Sequence, residues 1–309
     1  LLNADSAKVC VEAGINGQIT NSGVSHFRNT ECRVYEKKIM HYKGIMDENK
    51  LDIYEKIKIK GLEDEDVNKK FVLKRRSIYQ NNKFILKKGH VIRYVKMVYV
   101  TKDDDDKKNH DERIKLIKSI DKSSYMSMLE LHRMENDKFW KYAQIDIDGI
   151  SEAEKAAIRY CQYQLYGMTP YNTDKISIGA KGLTGEGYKG HVFWDTEIYM
   201  LPFYCYTYPE IAKNMLIYRY NGLSGARKKA KRYGYEGALY PWESAIDGEE
   251  ETPKYAALNI HTGKANKVWS GIKEHHISAD IAYAVIKYYE ITKDEEFMEK
   301  YGIEMLTDI

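Results

Sequence analysis

An indole beside a carboxylate, Trp194 and Asp195, is the pair in this sequence whose types most directly suggest chemistry. The flat face of the indole covers the apolar C–H side of a pyranose, and the carboxylate accepts two hydroxyl groups in charge-assisted hydrogen bonds. The same residues also fit a plainer role, with Asp195 as N-cap of the following helix and Trp194 as a buried anchor. Upstream, glycines at 179, 182, 185, 187 and 190 free the backbone for positive φ and for close approach to a neighbour that a Cβ would exclude. Such a loop is expected to lie against a ligand, and Tyr188 and His191 beside it are further candidates, with a structural role as the alternative. Gly185–Gly190 spells G-x-G-x-x-G, but it carries acidic Glu186 and no apolar strand leads into it, which argues against a nucleotide site. Asp195 and Glu197 are about 200° apart around a helix, a poor acid/base couple. Glu249, Glu250 and Glu251 read as a solvated charge run. His275 and His276, being adjacent, cannot share a helical face for metal ligation, and no second pair has zinc spacing. No metal site is expected.

The elements that would position these residues change character along the chain. From Lys8 to about Tyr99 apolar residues alternate, with turn signals at Asn16-Gly17, Asn21-Ser22-Gly23 and Asn81-Asn82, the pattern of a sheet sandwich. Lysines alternating through Glu55–Lys60 suggest one wet and one packed face. The run Asp103–Asn109 reads as a solvated loop marking a boundary, and its adjacent aspartates lack the alternating spacing of a calcium loop. Beyond Asp111 the period becomes helical. Ser151–Glu154 is a capping box, and Ala153, Ala157, Tyr160, Cys161, Gln164 and Leu165 form the expected stripe of the helix it opens. The apolar run from Ile198 to Tyr206 reads as a buried helix broken at Pro202 and restarted at Pro209. Further helices are expected over Pro209–Tyr220, Ser224–Tyr233, from Ser278 and from Asp294, with no strand among them.

Three long segments carry a resemblance: GLTGEGYKGHVFWDTEIYMLPFY, MLIYRYNGLSGARKKAKRYGYEGALYPWESAIDGEEETP and HHISADIAYAV. In this order they resemble the disaccharide phosphorylases of glycoside hydrolase family 65, across roughly residues 140–309. The resemblance implies a multidomain α+β chain: residues 1–108 as part of an N-terminal β-sandwich, 109–150 as a helical linker, and 151–309 as the first part of an (α/α)6 catalytic barrel. It implies inverting phosphorolysis of an α-linked glucose disaccharide to β-glucose 1-phosphate and glucose, most like the kojibiose enzymes. A family 65 glycoside hydrolase of another linkage (trehalose, nigerose or maltose) and a non-catalytic carbohydrate-binding fragment are the alternatives. By the same resemblance Trp194 and Asp195 hold the glucosyl unit, and Trp242 and Glu243 in YPWES meet the acceptor sugar; a turn after Pro241 with Trp242 in a core is the other reading. His275 and His276 open a matched segment with a structural or supporting role. The family's general acid, a glutamate in Gly-Pro-Asp-Glu, has no counterpart here and is expected beyond Ile309, as are its phosphate-binding residues. The chain is expected to bind disaccharide and phosphate without a cofactor, and to lack catalysis alone.

Composition adds bounds. With 49 basic against 46 acidic residues the net charge is +3, so no nucleic-acid partner is demanded. Cys10, Cys32, Cys161 and Cys205 have neither metal nor disulfide spacing, which points to a reducing, cytoplasmic setting. No apolar run reaches the ~18 residues of a membrane span. The length suits about two domains, and the family resemblance adds a homodimer for the full-length protein. Leu1 is not a start methionine, and the chain is expected to be a piece of a longer protein. A partial helical barrel would expose apolar helix faces beyond the few hundred Å2 usual for a monomer. The isolated chain is therefore expected to self-associate in size-exclusion chromatography, and a monomer that melts cooperatively would overturn this.

Overall fold

Alternation of apolar and polar residues builds seven strands in the first part of the chain: β1 (Ser6–Asn16), β2 (Arg28–Tyr35), β3 (Ile39–Met46), β4 (Asn49–Lys60), β5 (Asn68–Lys74), β6 (Ser77–Lys87) and β7 (Arg93–Lys102). A computed structural model describes residues 5–21, 23–46, 49–102, 108–120, 125–182 and 185–309. Ser22 and most of the aspartate run, 103–107, lie outside the described residues. All pairings are antiparallel, in two sheets ordered β1-β6-β5 and β2-β3-β4-β7. Ile15 and Ile78 from one sheet and Met40, Tyr42 and Ile57 from the other share a core, so the sheets pack face to face.

Two details differ from the sequence reading. Asn81 and Asn82 do not turn the chain but sit inside β6, where buried Asn82 accepts from Gln80 (2.7 Å) and donates to the Tyr94 hydroxyl (3.2 Å); lateral partners let a turn-forming residue stay in a strand. The outer face of β4 is not wet along its whole length either. Tyr54 on that face packs with Ile39 and with Ile114 and Ile117 of α1 (His110–Ile120), while Lys58 and Lys60 remain outside.

Under α1 lies a charged cluster. Asp52 accepts from the His41 Nε2 side (2.6 Å) and from Arg113 (2.9 Å), and all three are buried. Burial alone would raise the Asp52 carboxyl, but the His41 hydrogen bond and the His41 and Arg113 charges outweigh it and hold Asp52 below the usual carboxylate range. A depressed folded-state value contributes stability that is fully present above the unfolded value of about 3.9 and is lost as pH falls through the lower, folded one. Denaturant midpoints for the first unit are expected to fall as pH drops below about 4, and Asp52→Asn to flatten that fall; an unchanged slope would remove the role.

The chain divides into two compact units, residues 1–133 and 134–309, each described by itself. In the second, helices dominate: the end of α2 (Tyr125–Ala143), α3 (Glu152–Met168), α4 (Leu201–Thr207), α5 (Pro209–Asn221), α6 (Leu223–Tyr233), the single turn α7 (Ser270–Lys273), α8 (His276–Thr292), α9 (Glu295–Phe297) and α10 (Ile303–Asp308). Their core joins Leu201, Tyr204 and Cys205 of α4, Leu216 of α5, Ile281 and Val285 of α8, and Phe297. The Ser151 box forms as expected: its hydroxyl accepts the Glu154 N–H, and the Glu154 carboxylate accepts the Ser151 N–H (2.7 Å). The expected stripe of α3 holds only at its end, where Gln164 and Leu165 are half-buried and Leu165 packs on the core. Ala153, Ala157, Tyr160 and Cys161 face solvent, and Gln162 turns inward to donate to the Ala143 carbonyl, because a long amide reaches an open helix end that alanine cannot.

Pro202 does not break the helix. A π-turn, Thr196–Met200, runs directly into α4, and the Leu201 N–H reaches back five residues to Thr196. The widened turn accommodates a ring that would clash with an i−4 carbonyl. Between the helices a hairpin of β8 (Tyr255–Leu258) and β9 (Ala265–Lys267) corrects the expectation of a strand-free second half. Of the cysteines, Cys161 is exposed and Cys205 buried, its thiol pushed up to about 12 by burial.

Candidate functional site

The glycine loop folds mainly on itself. The Cβ position of Gly179 lies 2.9 Å from the Gly190 carbonyl oxygen, and that of Gly187 2.9 Å from the Lys181 side chain, so the close approach expected of a ligand is made here by the protein's own chain. Tyr188 (φ 59°), Lys189 (φ 54°) and Gly190 (φ 78°) make a left-handed turn. Two of these three residues carry a Cβ, at roughly 1–2 kcal/mol each. The turn is held by the His191 N–H on the Tyr188 carbonyl (2.8 Å) and by the Tyr188 ring edge-on to Phe193 (4.9 Å). Leu183 and Thr184 lie outside the described residues.

From this turn the chain enters a two-way bridge, the Val192 N–H to the Ser244 carbonyl and the Ser244 N–H to the Val192 carbonyl, both 2.9 Å. That bridge brings FWDTE beside YPWES. Next to it His191 Nδ1 and Glu243 Oε1 are 2.7 Å apart, so the loop that leads into FWDTE and a residue of YPWES close the same junction.

The start of the π-turn sorts the residues of FWDTE by face. Phe193, Thr196 and Glu197 turn inward; Trp194 and Asp195 stay half-exposed. Thr196 donates to the Ile178 carbonyl (2.8 Å). Glu197, fully buried, accepts from Arg219 of α5 at 2.8 and 2.7 Å, and the same guanidinium donates to the Phe193 carbonyl (3.0 Å). Burial opposes the Arg219 charge, but Glu197 outweighs it and raises its pKa. Asp195 begins the turn without a side-chain capping bond, and its carboxylate has no partner among the described residues.

His276, at the start of α8, links the two tryptophans, edge-on to Trp194 (5.3 Å) and to Trp242 (5.9 Å), with its own ring fixed by Asp280 (2.6 Å). Trp242 also meets Phe193 (6.0 Å). His275 turns away: its Nε2 lies 2.9 Å from the Ile272 carbonyl and its ring meets Tyr235. Trp194, Asp195, Trp242, Glu243, Tyr188, His191 and His276 are thus gathered about one junction, and His275 is apart from it. Among the described residues no cluster of His, Cys, Asp or Glu could hold a metal ion, and no helix is long and apolar enough to cross a membrane.

The pairing of Glu197 with Arg219 and of Glu250 with Lys229 escaped the sequence reading. Glu250, expected on a solvated run, pairs with buried Lys229 (2.5 Å). Burial would raise its carboxyl, but Lys229, Thr252 and the Trp242 N–H outweigh burial and keep it below the usual range. Charge inside the helical periods of α5 and α6 was the available signal.

Residues 159–309 match the Glycosyl hydrolase family 65 central catalytic domain. The chain belongs to glycoside hydrolase family 65. Kojibiose phosphorylase of Halothermothrix orenii is 41% identical over 98% of this chain and 40% of its own length, and that of Escherichia coli is 38% identical over 99% and 41%. The chain therefore spans about two fifths of the length of these family 65 relatives. A solved structure named "Putative kojibiose phosphorylase from human microbiome" superposes with a TM-score of 0.78 at 25% identity, over 98% of this chain and 38% of the other.

Removing one partner of the Glu197–Arg219 pair leaves the other charge buried. Arg219→Met is expected to lower unfolding stability by about 3–5 kcal/mol, and a Glu197→Leu/Arg219→Met double variant to recover much of it. Urea denaturation reads both, and a single variant as stable as the parent would show the pair to be idle.

Proposed function

We propose that the protein of which this chain forms part cleaves an α-linked glucose disaccharide with inorganic phosphate, with inversion, to β-glucose 1-phosphate and glucose, and that its substrate is kojibiose. The observation that carries this is the junction itself. Trp194 and Trp242 meet one histidine, and an unengaged carboxylate, Asp195, stands beside them. The two relatives described above are phosphorylases of kojibiose, which agrees with the reading.

In this proposal Trp194 and Asp195 hold the glucosyl unit, the indole against its apolar face and the carboxylate on its hydroxyls. Trp242 and Glu243 meet the acceptor sugar. Phosphate replaces the water and general base of an inverting hydrolase, so a single carboxylic acid suffices to protonate the leaving oxygen. Glu197 is fully buried with both its oxygens engaged by Arg219 (2.8 and 2.7 Å) and is unsuited to that task; the acid is assigned to a glutamate outside this sequence. No cofactor enters the scheme. Residues 1–108, 109–150 and 151–309 are assigned to sandwich, linker and the first part of an (α/α)6 barrel, in a cytoplasmic homodimer.

The test is phosphate-dependent release of β-glucose 1-phosphate by the protein expressed from its complete reading frame, with kojibiose, trehalose, nigerose and maltose compared. Asp195→Asn is expected to lower kcat/KM at least about 100-fold, since the amide loses one accepting oxygen and the charge that strengthens the bond to the other. Absence of phosphate-dependent product from all four sugars would dismiss the reading.

A further inference from the structure

We propose that Glu250, backed by Lys229, is the positioning residue for Trp242–Glu243 and thereby sets how tightly the acceptor sugar is held, a role that rests on the acceptor-side reading of those two residues. One carboxylate gathers five donors. Oε2 accepts from the Trp242 N–H (2.9 Å) and Lys229 Nζ (2.5 Å); Oε1 accepts from the Glu243 N–H (3.1 Å), the Thr252 N–H (3.2 Å) and the Thr252 hydroxyl (2.6 Å). Lys229, 2% exposed, also donates to the Tyr240 carbonyl (3.3 Å). The pair thus grips the main chain at 240, 242 and 243.

Glu250 works on the backbone of this segment, whereas the side chains of the segment point elsewhere. Trp242 packs on Phe193 and His276, and Glu243 meets His191. Antiparallel contacts extend the hold, with Ser244 bridged to Glu250 and the Glu251 N–H on the Glu243 carbonyl (3.0 Å). The turn leading to Glu250 is fixed against α6: Gly248 (φ 70°) has its Cβ position 2.2 Å from the Gly222 carbonyl oxygen, so only glycine fits there. Both ends of the segment are therefore anchored to α6, and the carboxylate decides where the indole and Glu243 sit relative to Trp194.

The test uses the protein expressed from its complete reading frame, run in the synthetic direction with β-glucose 1-phosphate as donor and glucose as acceptor. Glu250→Gln is expected to raise the acceptor KM at least about tenfold, since a displacement near 1 Å is enough for such losses, with the donor KM within about twofold of the parent. Thr252→Val removes one hydrogen bond and no charge; it keeps the proposal testable should Glu250→Gln fail to fold, with an expected rise of about two- to threefold in acceptor KM alone. Lower rates with both KM values unchanged would indicate a merely structural carboxylate and overturn the proposal. Trp242→Ala and Glu243→Gln separate the two layers. If neither changes acceptor KM, the acceptor-side reading falls and takes this role with it; if they raise it while the Glu250 and Thr252 variants do not, only the role of Glu250 falls.

Discussion

The Glu197–Arg219 ion pair is the constraint on which the arrangement around Trp194 depends. Both side chains are removed from water, and the desolvation of two charges is tolerable only because the carboxylate and guanidinium meet along two parallel bonds. The third bond, from Arg219 to the Phe193 carbonyl, ties α5 to the residue just before Trp194. With Glu197 pulled inward, Asp195 lies on the opposite side of the helical turn, half-exposed, while Trp194 is half-exposed and packs in part against the core. The partial exposure of Trp194 and Asp195 is thus a by-product of where an inward charge is anchored.

A second buried pair repeats the logic on the neighbouring motif. Lys229 and Glu250 lie behind YPWES as Arg219 and Glu197 lie behind FWDTE, and the Val192–Ser244 bridge joins the two. FWDTE leaves Trp194 and Asp195 half-exposed, YPWES leaves Trp242 half-exposed with Glu243 buried against His191, and behind each a helix supplies a cation. On the proposed reading such a frame suits a site that holds two sugar rings in register, with the charges that set geometry hidden and Asp195 left without a partner. The wide π-turn belongs to the same frame, since it lets Pro202 continue the helix that packs Tyr204 and Cys205 into the core.

Much of the fold was legible from pattern. Alternation located the strands, the Ser151 box opened α3 where the letters predict, and Gly234 in the left-handed conformation closes α6. The errors have physical causes. Asn81 and Asn82 carry turn propensity, but Gln80 and Tyr94 offer partners inside the sandwich. The face of α3 that buries was only partly placed because Gln162 spends its amide on a neighbouring helix end, which no hydrophobic period encodes. Glu250 resembled its exposed neighbours in every respect except the lysine it meets.

Three long segments in the chain were therefore sufficient for the resemblance to family 65, and residue type and near-neighbour spacing sufficed to mark Trp194 and Asp195 and to separate a strand-rich part from a helical one. Local chemistry could not say that His191 would meet Glu243, that one imidazole would bridge Trp194 and Trp242, or that His275 would turn from its neighbour. Those contacts join residues tens of positions apart. Only the packed helices bring them within a few ångströms, since burial and long-range pairing, and not local propensity, choose among the orientations each side chain can take.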